Sequence, residues 1–456
     1  MADTDQLYTP EHHSGQLDRR LNTTNYVHPQ ETNLLNLTKV MEYNSQGQPV
    51  LRTTSGASIE SNDSFGRLRV SNPYTLFESS HRYQDNGRIG IYTANGGTST
   101  HNPNQSVIEA SVTTDSGSLV YRESLRVFPY QPGKGLQVLQ TFCFGPAKEN
   151  LRIRYGYFDT NNGIYLQRDG NEVSFIIRSS PNGVPIESEK VTQANWNIDP
   201  LNGNGISTLT LNLEAVQILF IDIQWLGVGI VRVGFVIDGQ LVPVHQFNHS
   251  NIIGNVTTYM GTACLPVRAE IENTGITASA STLKIICTSV ISEGGFEVRG
   301  RPYCVGHTIA APYILATPGV TYPIVSIRLK ATRFGGIVIP SDFSFAVQAA
   351  SNFRYFVRVG CITTGGTWVS TGAESYVEYN LTPTGFAAGG DGRLVEEGYV
   401  FASNQSSVSP SLTNFPFLYQ LERNSFTNTA YEFVLCAVTD GNNQKVNGSF
   451  TWEEVN

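Results

Sequence analysis

The stretch LRIRYGYFD sets Leu151, Ile153, Tyr155 and Tyr157 at one parity and Arg152, Arg154, Gly156 and Phe158 at the other. A period of two sends the two sets to opposite faces of an extended strand, whereas a helix would scatter them. NNG then turns the chain into IYLQRDG, and DGN turns it into EVSFIIRSS, which predicts two hairpins in succession. The alternation returns in LFIDIQWLG, where Ile221, Ile223 and Trp225 oppose Asp222 and Gln224. It returns again in VRVGFVIDGQLVPVHQF, with Val231, Val233, Phe235 and Ile237 on one face and a turn at Asp238–Gln240. Helical periodicity is nearly absent, and even SDFSFAVQAASNF alternates at Phe343, Phe345 and Val347. Without helices for parallel crossovers, the expected class is all-β. Antiparallel β-sandwich or jelly-roll-like modules with an extended N-terminal arm are the expected architecture.

At 456 residues the chain is too long for one ordinary core. Residues 1–60 are polar, with one small cluster at Leu34, Leu35 and Leu37, and cannot offset their own ordering entropy. They read as an extended polar arm. Residues 61–104 read as an attachment or first-strand segment, and 105–300 as a first β-sandwich. The proline-rich GRPYCVGHTIAAPYILATPGVTYP breaks the strand rhythm, so 301–323 reads as a linker. Strands restart at IVSIRLKA, making 324–456 a second β-rich domain that ends near Trp452.

Charge narrows the function classes. Charged residues make up 15% of the chain, against about 25% in typical domains. The deficit is filled by Asn, Thr, Ser and Gly, a surface suited to extracellular or packed settings. A net charge of −8 argues against wrapping nucleic acid or reading its sequence. No apolar run is long enough for a membrane helix, so no membrane insertion is expected. The opening MADTDQLYTPEHHSG lacks the basic and apolar regions of a secretory signal, so none is expected. The six cysteines lie mostly in strand-like segments and read as free thiols, although their even number leaves pairing open.

No catalytic set emerges. His245 and His249 sit four apart in VPVHQFNHSN, but at a strand end with no third ligand nearby, so they read as polar turn residues, one beside Phe247. Asp222, Asp238, Glu270 and Glu272 lie in or near strands, and nothing in the sequence brings two of them to one sugar bond. G-x-S-x-G, Walker and EF-hand spacings are missing. The expectation is no enzyme, no cofactor and no metal. Depolymerase activity ranks last, since no rung repeat is present.

The segment SNDSFGRLRVSNPYTLF is the strongest candidate contact surface. Arg67 and Arg69 share one face with Phe65, Leu68 and Val70 share the other, and Gly66 permits close backbone approach. Pro73 stops the strand, and Tyr74, Leu76 and Phe77 offer a second apolar surface. A short two-faced strand after a polar arm suits edge augmentation, and it also suits an ordinary first sandwich strand.

SFGRLRVSNPYTLFESS, RIRYGYFDTNNGIYLQRDG, FIDIQWLGVGIVRVGFVIDG and ICTSVISEGG resemble a signature of predicted virion structural proteins of tailed phages and other large DNA viruses of aquatic microbes. Where similar proteins read TLFDS, this chain carries Glu78. The resemblance implies a virion component: a capsid-associated, tail or fibre-base structural protein, located in the virion. It implies other virion proteins and copies of itself as partners, with the arm docking on neighbours. The alternative reading of the residues is a carbohydrate-binding or host-receptor-binding β-sandwich, to which 21 tyrosines could supply a glycan platform.

Overall fold

The computed structural model describes residues 39–43, 49–53, 72–348, 350–401, 407–408 and 419–455. The chain forms two compact units, Met1–Asn72 and Pro73–Asn456. In the first, β1 (Lys39–Tyr43) and β2 (Pro49–Thr53) pair antiparallel, Met41 opposite Leu51. The rest of the expected extended arm lies outside the described residues, as do Phe65, Gly66, Arg67, Leu68, Arg69 and Val70.

The second unit begins with β3 (Tyr74–Ser80), β4 (Ile89–Ala94), β5 (Thr98–Asn102), β6 (Val107–Val112), β7 (Leu119–Ser124) and β8 (Gly135–Cys143). There follow β9 (Leu151–Phe158), β10 (Gly163–Asp169), β11 (Glu172–Ser179), β12 (Ile186–Thr192), β13 (Gln217–Ile223) and β14 (Val231–Ile237). β15 (Gln240–Phe247), β16 (Val267–Asn273) and β17 (Ser281–Glu293) complete the first sandwich. One seven-stranded sheet runs β12-β11-β10-β9-β16-β7-β4. An eight-stranded sheet runs β15-β14-β13-β8-β17-β6-β5, with β3 also on β17. Every pairing between these strands is antiparallel.

Period two decides what the sheets enclose. Leu151, Ile153, Tyr155 and Tyr157 of β9 enter one apolar layer with Val138 and Phe142 of β8 and with Ile221 and Phe235. Phe158, of opposite parity, packs on the outer face with Tyr165 and Ile176. Burying each such side chain stabilises the fold by about 1.5–3 kcal/mol. The two hairpins expected here form as β9–β10–β11, with Tyr165 opposite Gly156. A Cβ on Gly156 would lie 2.7 Å from the Tyr165 Cα, so no larger residue fits there. Asp238 (φ 50°) and Gly239 (φ +75°) turn β14 into β15, as the twist of a two-residue hairpin demands.

The second sandwich has its own core around Ile327, Phe343, Phe345, Leu435 and Trp452. The stretch expected as a linker, 301–323, instead holds strands Arg301–Gly306 and Tyr313–Leu315, both paired with the terminal strand Gln444–Val455. Pro302 is tolerated because this strand lies at a sheet edge, where no ladder donor is required. The first sandwich starts earlier than residue 105, since β3, β4 and β5 belong to its sheets. Ile337, Ile339 and Val455 of the second sandwich join the core of the first. Among the described residues the helical turns are short 3-10 segments, Gln193–Asn195 and Ala331–Arg333.

Candidate functional site

Of the contact residues expected from the sequence, Tyr74, Leu76 and Phe77 lie in β3, and Pro73 immediately precedes it. Leu76 and Phe77 are buried in the first core, and Phe77 lies 5.0 Å from Phe128, ring to ring. Tyr74 is half-buried and packs on Phe296, while Pro73 is exposed. These side chains make β3 a first strand of the sandwich, and their apolar surface is already covered.

The site lies immediately beyond them. The outer face of the eight-stranded sheet carries two cross-strand rows. Ser80, Cys287, Thr141 and Ile218 align across β3, β17, β8 and β13. Glu78, Ser289 and Leu139 align beside them on β3, β17 and β8. These residues floor an open cleft of about 940 Å³, within the range of about 300–1,000 Å³ usual for small-ligand sites. The loop from β3 to β4 forms one wall with Arg82, Tyr83, Gln84, Asn86, Gly87 and Arg88, and Arg393 of the second sandwich completes the lining.

The loop is fastened from below. His81 is buried, and its carbonyl oxygen lies 2.8 Å from His101 Nε2. Arg122 donates to Asp85 at 2.5 Å and to Ser99 at 2.6 Å. Asn86 Oδ1 accepts from the Arg88 amide at 3.0 Å, an Asx turn. Burial, aided by the Arg122 guanidinium and opposed by Asp85, lowers the His81 pKa to about 4. With the neutral imidazole and Asp85 held below, Arg82, Tyr83 and Gln84 point outward, and Tyr83 is 84% exposed. The Arg82 guanidinium lies 6.0 Å from the Tyr83 ring centre.

The other large polar face is closed upon itself. On the seven-stranded sheet Arg268 pairs with Glu270 at 2.6 Å, Arg152 with Glu272 at 2.7 Å, and Arg154 with Glu187 at 3.2 Å. Glu270 and Glu272, considered from the sequence as acid–base candidates, are therefore held by arginines. Asp222 pairs with Arg232 at 3.2 Å, and burial raises its pKa. His249 stacks on Tyr259 at 3.9 Å and its Nε2 lies 3.0 Å from the accepting Glu189 carboxylate, while His245 meets Phe247 edge-on. The two histidines are thus packed separately. The six cysteines are free thiols. Among the described residues there is no group of three or more His, Cys, Asp or Glu side chains able to hold a metal, and no helix long and apolar enough to cross a membrane.

No family model matches this chain, and no curated protein matches it. Among solved structures, it is similar to the CBM2 module of the Lactobacillus casei BL23 phage J-1 evolved Dit, at 8% identity over 50% of this chain and 99% of that one, TM-score 0.34. It is similar to the carbohydrate recognition domain of Emp47p, at 9% identity over 53% and 100%, TM-score 0.30. It is similar to a Bacillus licheniformis β-glucanase, at 12% identity over 47% and 97%, TM-score 0.30. The expectation of a virion structural protein of capsid or tail is corrected here. No family model and no curated protein supports it.

Proposed function

We propose that this chain is a carbohydrate-binding β-sandwich protein that recognises a glycan, free or displayed on a surface receptor, in the cleft beside Tyr83. The observation that carries the reading is the cleft itself. An exposed tyrosine ring, held on a fastened loop, stands beside amide, hydroxyl and guanidinium groups over a floor of mixed polarity. A pyranose has one apolar face and a rim of hydroxyls. The ring suits the face, while Gln84, Asn86, Ser289 and the arginines suit the rim. The role is binding without bond cleavage. Among the described residues Glu78 is the one carboxylate in the lining, and glycosidic cleavage ordinarily takes two flanking the bond.

The test is glycan-array screening of the full chain, followed by calorimetric titration of the best ligand. Tyr83→Ala should weaken binding at least about tenfold, roughly 1.4 kcal/mol. The melting temperature should not change, because the side chain is exposed. A Tyr83→Ala protein that binds as tightly as the original, or an original that binds no glycan, overturns the reading.

A further inference from the structure

We infer that the glycan recognised in this cleft is anionic, an oligosaccharide bearing carboxylate or sulfate groups; the inference rests on the glycan reading above. The chain as a whole carries a net charge of −8, yet among the described residues the cleft lining holds Arg82, Arg88 and Arg393 against the single carboxylate Glu78. The three guanidiniums are also uncommitted. Among the described residues none of them makes an ion pair, whereas Arg152, Arg154, Arg232, Arg268, Arg328 and Arg358 are each on a carboxylate. An unpaired guanidinium at the surface is ordinary. Three converging on one concavity from two sandwiches, in an acidic protein, make a local positive field that the fold itself does not use.

A neighbouring buried group registers that field. Arg126 pairs with Glu422 at 3.3 Å. Its pKa is nevertheless lowered to about 10, chiefly by burial, with the Arg88 and Arg393 guanidiniums adding to the fall against the opposing pull of Glu422. Arg88 and Arg393 are therefore close enough to act together on one point. A guanidinium fork meets a carboxylate or sulfate through two parallel hydrogen bonds. Neutral hydroxyls would leave this charge unanswered.

The experiment measures Kd of the full chain for three oligosaccharide classes matched in length: uncharged, uronate-containing and sulfated, each at low and physiological salt. At least one anionic class should bind about tenfold tighter than the uncharged one, and the advantage should shrink as salt rises. The class that gains identifies the oxyanion. Arg88→Gln and Arg393→Gln should each remove most of that advantage, lowering affinity for the anionic sugar far more than affinity for the uncharged one, and Arg88→Lys should keep the salt dependence but bind less tightly. Equal affinity for charged and uncharged sugars, or an advantage untouched in the double Gln variant, overturns the inference and leaves the glycan reading standing. Binding of polyglutamate as tightly as of the anionic sugars, or failure of every sugar, overturns both.

Discussion

His81 and Tyr83 stand two residues apart and face opposite ways, and this small alternation makes the loop a platform. The buried imidazole stays neutral because its pKa is lowered from the ordinary 6.5 to about 4, mainly by burial. Between those values the unfolded chain takes up a proton that the folded chain refuses. Stability is therefore complete above about pH 6.5 and falls as the pH drops toward 4, by up to about 3 kcal/mol from this group. Chemical denaturation at pH 7 and pH 4.5 should show the loss, and His81→Gln should reduce it. Glycan affinity should fall over the same range, since His81 is buried in the loop that carries Tyr83. The loop residues were plainly visible in the sequence as HRYQDNGR. What could not be read there was the direction of each side chain, because an irregular loop has no period. The signal available was an aromatic residue among amides and arginines in a turn-forming run.

Strand pairing was the most legible level, because alternation is a local property. The β9–β10–β11 and β14–β15 hairpins followed from parity and turn residues alone. The segment 301–323 did not, because its prolines signal a break equally well for a linker and for an edge strand. Partners distant in sequence were hidden for the same reason. The segment Gln420–Arg423 crosses from the second sandwich onto the first. Gln420 donates to the Val127 carbonyl at 3.0 Å, and Arg423 donates to the Ser124 carbonyl at 2.8 Å. Buried Glu123 then answers Arg268 at 3.1 Å and Arg423 at 3.2 Å, and accepts from Ser425 at 2.6 Å. Removing one member strands the others in a place water does not reach. Glu123→Ala and Arg423→Ala should each cost about 3–5 kcal/mol in denaturant unfolding, and the double variant should cost less than the sum.

For the whole molecule, the sequence predicts two β-rich modules, and among the described residues there are two large apolar cores, but their boundary is not a tether. Ile337, Ile339 and Val455 belong to the second sandwich by strand and to the first by packing. Scanning calorimetry of Pro73–Asn456 should therefore give a single transition, with calorimetric and van't Hoff enthalpies equal. Two separate peaks would show that the shared core does not couple them.

Arg393 adds a consequence of a different kind. It stands at the head of a strand in one sandwich, while Tyr83 stands on a loop of the other, and both look into the same cleft. Neither half, excised and transplanted as a recognition cassette, could carry the full specificity with it. Shuffling of such modules by recombination would have to move the pair as one inheritance unit, or rebuild the missing corner from whatever new neighbour it met.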